Sequence, residues 1–206
     1  IKQSFGANQM KLLLLDLDGT VREPIKGQWV SPPSNQRVIE GVLPLLEATY
    51  SDWAKIGITN QGGVGAGHKT MSDMILEQQL TLELIPSLDF ILACPDFEGK
   101  LLYKILREDK PSVQTFNREG FKNKWGDCIY QSFRKPGCGM HQFAIDGVES
   151  SPSSNSPITE VYQVLIVGDR EEDFAASERL QEVYRNQPIN IEFMWASDWL
   201  KMPIIV

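Results

Sequence analysis

Two aspartates, Asp16 and Asp18, follow directly on a run of four leucines in the segment 11–20. Four consecutive leucines between polar residues indicate a strand buried on both faces, as in the parallel sheets of α/β proteins. Side chains alternate along a strand, so both carboxylates face the same side. Gly19 and Thr20 follow as a turn, at the end of the strand where open α/β sheets bind ligands. Paired carboxylates at such a place can act as nucleophile, transfer protons or bind a divalent cation.

An Asp-x-Asp-Gly turn has simpler interpretations, namely a solvated loop or part of a calcium loop. A complete EF-hand loop needs further oxygen ligands and a glutamate at its twelfth position, between two helices. Here Val21, Pro24 and Ile25 follow a predicted strand instead. The segment 21–35, rich in proline and glycine, predicts a loop over the strand end, with Trp29 and Val30 folded over the site.

Polar residues also follow two other predicted strands. Thr59, Asn60 and Gln61 come after the apolar segment 54–58, and Asp169 follows Gly168 after the apolar segment 162–167. Asp169 therefore stands at a strand end behind a glycine, as a counterpart of Asp16. Acids in a first helical turn usually complement the helix dipole, and this interpretation is favoured for Glu171 and Glu172.

The glycine-rich segment 62–70 suggests a rival function, because a phosphate-binding P-loop reads Gly, four residues, then Gly-Lys-Ser/Thr. Here His68 stands between Gly67 and Lys69 and breaks that register. A P-loop nucleotide kinase is therefore the disfavoured alternative, and His68 is interpreted as a surface loop residue.

The remaining chain alternates helices with strands. Apolar spacing predicts helices over 42–50, 71–85, 140–145 and 171–180, and further strands over 88–94 and 189–194. Trp195 and Trp199 are interpreted as packing residues. The segment 96–133 has poor periodicity and high charge, which indicates an insertion rather than part of the sheet. Its basic residues could contact substrate; they are Arg118, Lys122 and Lys124. Its aromatic rings could stack on the substrate or form a packed core of their own; they are Tyr103, Phe116, Phe121, Trp125 and Tyr130.

Length and composition exclude several classes of protein. With 206 residues, 42% of them hydrophobic, the chain can bury one core, and we expect a single domain over 1–206. It has no stretch of about 18 apolar residues to span a bilayer, and residues 1–10 are too polar for a signal sequence, so a soluble cytoplasmic protein without membrane contact is expected. Three widely spaced cysteines suit a reducing compartment. A net charge of −7 disfavours a general nucleic-acid binder without excluding a local basic site.

Four segments together resemble the motifs of the haloacid dehalogenase (HAD) superfamily of phosphohydrolases. They are the strand ending in Asp-Leu-Asp-Gly-Thr at 16–20, Thr-Asn-Gln at 59–61 before a glycine-rich turn, Arg-Lys-Pro with a following Gly-Met at 134–140, and Val-Gly-Asp with Asp173 at 167–173. They occur in the family's order. The variants resemble the branch that contains histidinol-phosphate phosphatase, heptose-bisphosphate phosphatase and polynucleotide 3′-phosphatase domains.

The resemblance implies a fold and a reaction. The fold is a Rossmann-like three-layer α/β sandwich with a parallel central sheet, helices on both faces, no large cap and an insertion before the third motif. The reaction is Mg²⁺-dependent hydrolysis of a phosphomonoester, on a phosphorylated small metabolite or a nucleic-acid 3′ end. Oligomeric state is left open.

The resemblance also implies a role for each matching residue. Asp16 is the nucleophile that forms an aspartyl-phosphate, and Asp18 the acid and base. Lys135, Thr59 and Asn60 hold the phosphoryl oxygens, while Gln61, Gly62 and Arg134 line the substrate site. Mg²⁺ is expected on Asp16, Asp169 and the main-chain carbonyl of Asp18, with Asp173 acting through water or through Lys135.

The chain departs from the heptose-bisphosphate type at its zinc loop. Only Cys94 and Cys128 lie in the corresponding region, and no histidine lies between residues 69 and 140. A structural zinc requires four nitrogen or sulfur ligands, so no structural zinc is expected. Besides the kinase, a non-catalytic binding protein on a phosphatase scaffold is the other alternative; it leaves the costly buried acids unexplained.

Overall fold

The leucine run forms the central strand of the sheet. The computed structural model describes residues 8–107, 113–123, 126–149 and 159–204. Strand β1 (Asn8–Asp16) pairs in parallel with β4 (Ala54–Asn60) on one side and β8 (Thr159–Gly168) on the other. Its leucines are fully buried and alternate between the two faces: Leu12 and Leu14 pack into one core, Leu13 and Leu15 into the other. The predicted strand, buried on both faces, is confirmed.

In the part of the chain that the structure describes, seven strands form the main sheet, in the order β7-β6-β5-β4-β1-β8-β9. Five neighbouring strands of this order are parallel, namely β5 (Phe90–Cys94), β4, β1, β8 and β9 (Asn190–Trp195). Strands β6 (Leu101–Leu106) and β7 (Val113–Asn117) add an antiparallel hairpin at one edge. The sheet is therefore mixed, with its parallel part at the centre.

Helices cover both faces, which confirms the three-layer architecture. On one face lie α4 (Gly139–Glu149) and α5 (Glu171–Tyr184), which bury side chains such as Ile145 and Leu180 in the core of Leu12 and Leu14. On the other lie α1 (Val42–Pro44) with the π-helical turn Leu45–Thr49, α3 (Met71–Leu84) and α6 (Ala196–Trp199). Trp199 is fully buried there, as expected of a packing residue.

The prediction that 96–133 is an insertion outside the sheet is wrong in part, because β6 and β7 extend the sheet. The strands are difficult to recognise from the sequence because the outer strand β7 is largely exposed, at Gln114, Thr115 and Asn117, where polar side chains are tolerated. In β6, Lys104 interrupts the apolar residues; it is partly buried, and its ammonium lies over the Phe90 ring, 4.2 Å from the ring centroid.

Aromatic side chains of the same segment form a packed cluster, not a stacking platform. The Phe116 ring lies 4.7 Å from that of Phe143 on α4, and Phe121 lies 5.1 Å from Tyr130. Tyr103 packs against the opposite core. The rings are packed, as the second interpretation predicted, but they join the two cores of the main sheet and do not form a core of their own. Lys124 and Trp125 lie outside the described residues.

Over the strand ends lies a small hairpin of β2 (Arg22–Glu23) and β3 (Arg37–Val38), around the loop 24–36. Trp29 in that loop is 69% exposed, whereas Val30 is buried. A four-residue helix, α2 (Gly62–Gly65), follows β4. None of the helices in the described ranges has the length and apolar character to cross a membrane.

Replacing Phe116 with alanine tests whether the hairpin is part of the core. The half-buried ring contacts Phe121 and Phe143, so Phe116→Ala should lower the free energy of unfolding by about 1–2 kcal/mol, less than a fully buried phenylalanine costs. Gln114→Ala, at an exposed position of the same strand, should have little effect. Urea denaturation measures both, and equal values would show that the hairpin does not contribute to the core.

Candidate active site

Three neighbouring strands deliver the predicted residues to one edge of the sheet. Asp16 ends β1, Thr59 and Asn60 end β4, and Asp169 follows β8. Because β1 lies between β4 and β8, these side chains converge, as the sequence predicted.

Lys135 lies at the centre of this group. Its side chain is 2% exposed, and its ammonium forms an ion pair with Asp16 and another, at 2.6 Å, with Asp173. The ammonium also donates a hydrogen bond of 3.3 Å to the carbonyl of Ile58. The Thr20 hydroxyl donates to the second oxygen of Asp16, at 3.3 Å. Asp16 is therefore held from two sides.

A tight loop before α4 carries Lys135 into the site. Gly139 is required there, since a Cβ on it would lie 2.2 Å from the carbonyl oxygen of Gln131. The side chain of Asn60 anchors the loop from the opposite side: its amide donates to the Lys135 carbonyl at 3.0 Å and its oxygen accepts from the Lys135 amide at 2.9 Å. The motifs at 59–61 and 134–140 are thus joined by a reciprocal pair of hydrogen bonds.

The pKa values of Asp16 and Lys135 are both raised, but the consequences for their charges differ. Burial and the charge of Asp173 raise the pKa of Asp16 to about 7, against the opposing charge of Lys135. For Lys135, burial acts to lower the pKa, but the charges of Asp16 and Asp173 outweigh burial and raise it. Lys135 therefore stays protonated, whereas the positive charge around Asp16 is too small to keep the pKa of its carboxyl group at the usual low value.

Asp169 and Asp173 complete an acidic group around Asp16. One carboxylate oxygen from each of the three lies within 4.8 Å of the others. Asp173 is buried at the start of α5, where its carboxylate accepts from the Arg170 amide at 3.1 Å. Asp169 lies against Gly19, whose φ of +91° and lack of a side chain are both required, because a Cβ there would meet the Asp169 carboxylate at 2.3 Å. Burial raises the pKa of Asp169 as well.

Asp18 faces a different cation. The fully buried guanidinium of Arg22 donates to both of its carboxylate oxygens, at 3.0 and 3.2 Å. Burial acts to raise the pKa of Asp18, but the Arg22 charge and hydrogen bonds outweigh it, so the pKa is below its usual value. Asp18 is therefore ionised in this structure.

Gln61 lies between Thr59 and Lys69 and is not open to a substrate. The Lys69 ammonium lies 3.1 Å from Gln61 Oε1, and Gln61 Nε2 lies 3.0 Å from the Thr59 hydroxyl oxygen. The ammonium of Lys69 also pairs with Glu77 on α3. Since a P-loop lysine has to reach phosphates, these contacts disfavour the kinase alternative, and His68 is exposed on the surface.

Gly62 and Arg134 lie together at the rim. A Cβ on Gly62 would lie 3.1 Å from either terminal nitrogen of Arg134. The same guanidinium lies over the exposed ring of Phe97, with its central carbon 5.0 Å from the ring centroid. The two predicted substrate-binding residues are thus neighbours at the edge of the site.

No sequence motif predicts Arg22, Glu77 or Lys69 as parts of this site. Glu77 carries the one available signal, since it shares a helix face with Met74, Gln78 and Thr81, where a charge is unexpected. Arg22 lies in the two-residue strand β2 and Lys69 in the turn before α3, and both segments are too short to show a periodicity.

Comparison with known proteins places the fold. No protein-family model matches the sequence, and no curated protein matches it significantly. Among solved structures, a protein described as a HAD-like phosphatase from Mesorhizobium loti aligns over 87% of this chain and 72% of its own, with a TM-score of 0.55 and 21% identity. The D,D-heptose 1,7-bisphosphate phosphatase of B. bronchiseptica, in complex with magnesium and phosphate, aligns over 82% of this chain and 76% of its own, with a TM-score of 0.51 and 22% identity. The chain therefore has the fold of HAD-like phosphatases.

Proposed function

We propose that the protein is a Mg²⁺-dependent phosphomonoester hydrolase that works through an aspartyl-phosphate on Asp16. The observation that carries the proposal is the pairing of Asp16 with the buried Lys135, at the strand ends where Thr59 and Asp169 converge. Hydrolysis of a phosphate ester needs a nucleophile, a proton shuttle and positive charge for the phosphoryl oxygens, and the site offers a group for each.

Asp16 is the residue best placed to attack phosphorus. The Thr20 hydroxyl and the Lys135 ammonium fix its carboxylate, so little orientation is left to acquire before attack. The same ammonium is close enough to stabilise negative charge that develops on a phosphoryl oxygen bound beside Asp16.

Thr59 supports the phosphoryl-binding role through the direction of its hydroxyl. An ammonium has only donors, so the Gln61 atom facing Lys69 is the carbonyl oxygen, and the Gln61 NH₂ group therefore faces Thr59. The Thr59 oxygen accepts from that group, which leaves its own hydrogen free to donate to a phosphoryl oxygen. A further bond from the Asn60 main-chain amide remains a prediction.

The donor set fits Mg²⁺, a hard cation that prefers carboxylate oxygens. Asp16, Asp169 and Asp173 bring three carboxylates within 4.8 Å of one another. Lys135 and the half-exposed Arg170, 3.8 Å from Asp169, bring two positive charges, so the group carries an excess of negative charge. Asp16 and Asp169, with the main-chain carbonyl of Asp18, would hold the ion, and Asp173 would act mainly through Lys135. When bound, Mg²⁺ supplies the charge that lets a phosphate approach these carboxylates.

Asp18 is suited to proton transfer on the side of the site away from Lys135. As a carboxylate beside Arg22 it can accept a proton from the water that hydrolyses the aspartyl-phosphate. To protonate the leaving oxygen in the first half of the reaction it has to gain a proton, and the negative charge of an arriving substrate favours that gain.

The leaving group is either a phosphorylated small metabolite or a nucleic-acid 3′ end. The catalytic contacts concern the phosphoryl end, which both classes share. Arg134 and Phe97 lie at the rim and are the side chains on which the rest of the substrate would lie. A panel of sugar phosphates, histidinol phosphate, nucleotides and 3′-phosphorylated oligonucleotides separates the two classes.

Asp16→Asn should abolish phosphate release from p-nitrophenyl phosphate in the presence of Mg²⁺, because it removes the nucleophile at nearly constant size. Asp18→Asn should also lose turnover, mainly at proton transfer, by about 10²-fold or more. Asp198→Asn, an exposed change of the same chemistry, is the control. Turnover at the wild-type rate by purified Asp16→Asn protein would exclude the aspartyl-phosphate mechanism.

The raised pKa of Asp16 makes a second prediction, on metal-free protein. A folded-state pKa of about 7 against about 3.8 when unfolded means that the folded state binds the extra proton. Stability from this group is therefore present at low pH and falls as pH rises from about 4 to 7. With metal chelated at pH 8, Asp16→Asn should have a higher free energy of unfolding than wild type, by on the order of 1 kcal/mol.

Thermal and urea unfolding of both proteins from pH 5 to pH 8 measure this difference, which should shrink as pH falls below 7. Added Mg²⁺ should stabilise wild type more than Asp16→Asn, because the ion binds the folded state through that carboxylate. An equal response of the two proteins to Mg²⁺ would show that Asp16 is not a ligand.

A further inference from the structure

A chain of buried polar contacts runs from Asp18 to Thr59 behind the site, and most of it lies outside the proposed catalytic machinery. It passes from Asp18 to Arg22, from Arg22 to Glu77, from Glu77 to Lys69, and through Gln61 to Thr59. Both ends of the chain are residues that would act on the substrate. Its midpoint, Glu77, is fully buried on α3.

Every donor of Arg22 is used within this chain. Its five N–H groups bond to Asp18 twice, to Glu77 at 2.6 Å, to Gln36 at 3.3 Å and to Thr81. A guanidinium without a spare donor has one stable orientation, so Glu77, together with Gln36 and Thr81, fixes where Arg22 donates to Asp18.

Lys69 connects Glu77 to the Thr59 end of this chain of contacts. Its ammonium is held by Glu77, and from there it lies 3.1 Å from Gln61 Oε1. That contact fixes the Gln61 amide and with it the direction of the Thr59 hydroxyl. The lysine of the P-loop-like segment, Lys69, thus connects Glu77 to Gln61 and is not a phosphate ligand.

We propose that Glu77 is a positioning residue that holds Asp18 and Thr59 in their working orientations through Arg22 on one side and Lys69 on the other. The inference rests on the proposed phosphatase function. Glu77 touches neither end of the site directly, so its effect on the reaction would pass through these two cations.

Glu77→Gln tests the proposal, because it keeps the shape of the side chain and removes the charge that both cations share. Inorganic phosphate binding, measured by calorimetry with Mg²⁺ present, should weaken about tenfold as the Thr59 hydroxyl loses its direction, and kcat on p-nitrophenyl phosphate should fall about tenfold or more as Asp18 shifts. Glu83→Gln, an exposed change on the same helix, should alter neither quantity.

Lys69→Met separates the two arms. It should weaken phosphate binding as Glu77→Gln does, while the Arg22 and Asp18 arm stays intact. In the Glu77→Gln background it should add little, since both changes break the same connection to Gln61. If Glu77→Gln does not fold, phosphate binding to Lys69→Met still tests the Thr59 arm, because that side chain is partly exposed and its loss leaves the Arg22–Glu77 pair in place.

A folded Glu77→Gln protein with wild-type phosphate affinity and wild-type kcat would overturn the proposal and leave Glu77 a structural residue. Additive effects of the two changes on phosphate affinity would overturn the Lys69 connection. Absence of turnover by the wild-type protein would instead count against the proposed function, and the phosphate-binding comparison would still decide the role of Glu77.

Discussion

Two carboxylates that share one buried ammonium, with a third carboxylate close by, are the constraint on which the site depends. Lys135 lies between Asp16 and Asp173, where an unpaired charge of either sign would be costly to bury. The lysine can stay there only if its backbone is held, and the side chain of Asn60 does this with two hydrogen bonds. Close packing at the site also requires two glycines. Gly19 lets the turn approach the Asp169 carboxylate, and Gly139 lets the loop that carries Lys135 pack against the Gln131 carbonyl.

Much of this arrangement could be predicted from the sequence, because the relevant signals are local. The leucine run predicts β1, and a strand end in a parallel sheet predicts where Asp16 lies. Asp16, Thr59 and Asp169 each stand at the end of a strand that is evident as a largely apolar segment. Neighbouring strand ends then bring Asp16, Thr59 and Asp169 together without knowledge of any long-range contact.

What could not be predicted depends on pairings between distant segments. The antiparallel hairpin of β6 and β7 is difficult to recognise because its outer strand β7 is largely exposed and shows weak alternation. The many charged residues around both strands make the segment resemble an insertion. The reciprocal bonds between Asn60 and Lys135 join residues 75 positions apart. Glu77 meets Arg22 across 55 positions, and neither residue belongs to a motif. No pattern of spacing contains such information, since it arises only when the helix packs on the sheet.

The two ion networks around the site differ in their balance of charge, and that difference separates two tasks. On one side, Asp18 and Glu77 face Arg22 and Lys69, two negative charges against two positive ones, so the network is complete without a ligand. On the other side, Asp16, Asp169 and Asp173 face the buried Lys135 and the half-exposed Arg170, which lies 3.8 Å from Asp169, so three negative charges face two positive ones. A balanced buried network gains nothing from a further ion and is suited to hold geometry, whereas an unbalanced one is stabilised by an added cation, such as the proposed Mg²⁺. Asp16 and Asp18 are two residues apart but belong to different networks. Strand β1 ends at Asp16, so the side-chain alternation that predicted a common side for both carboxylates does not extend to Asp18.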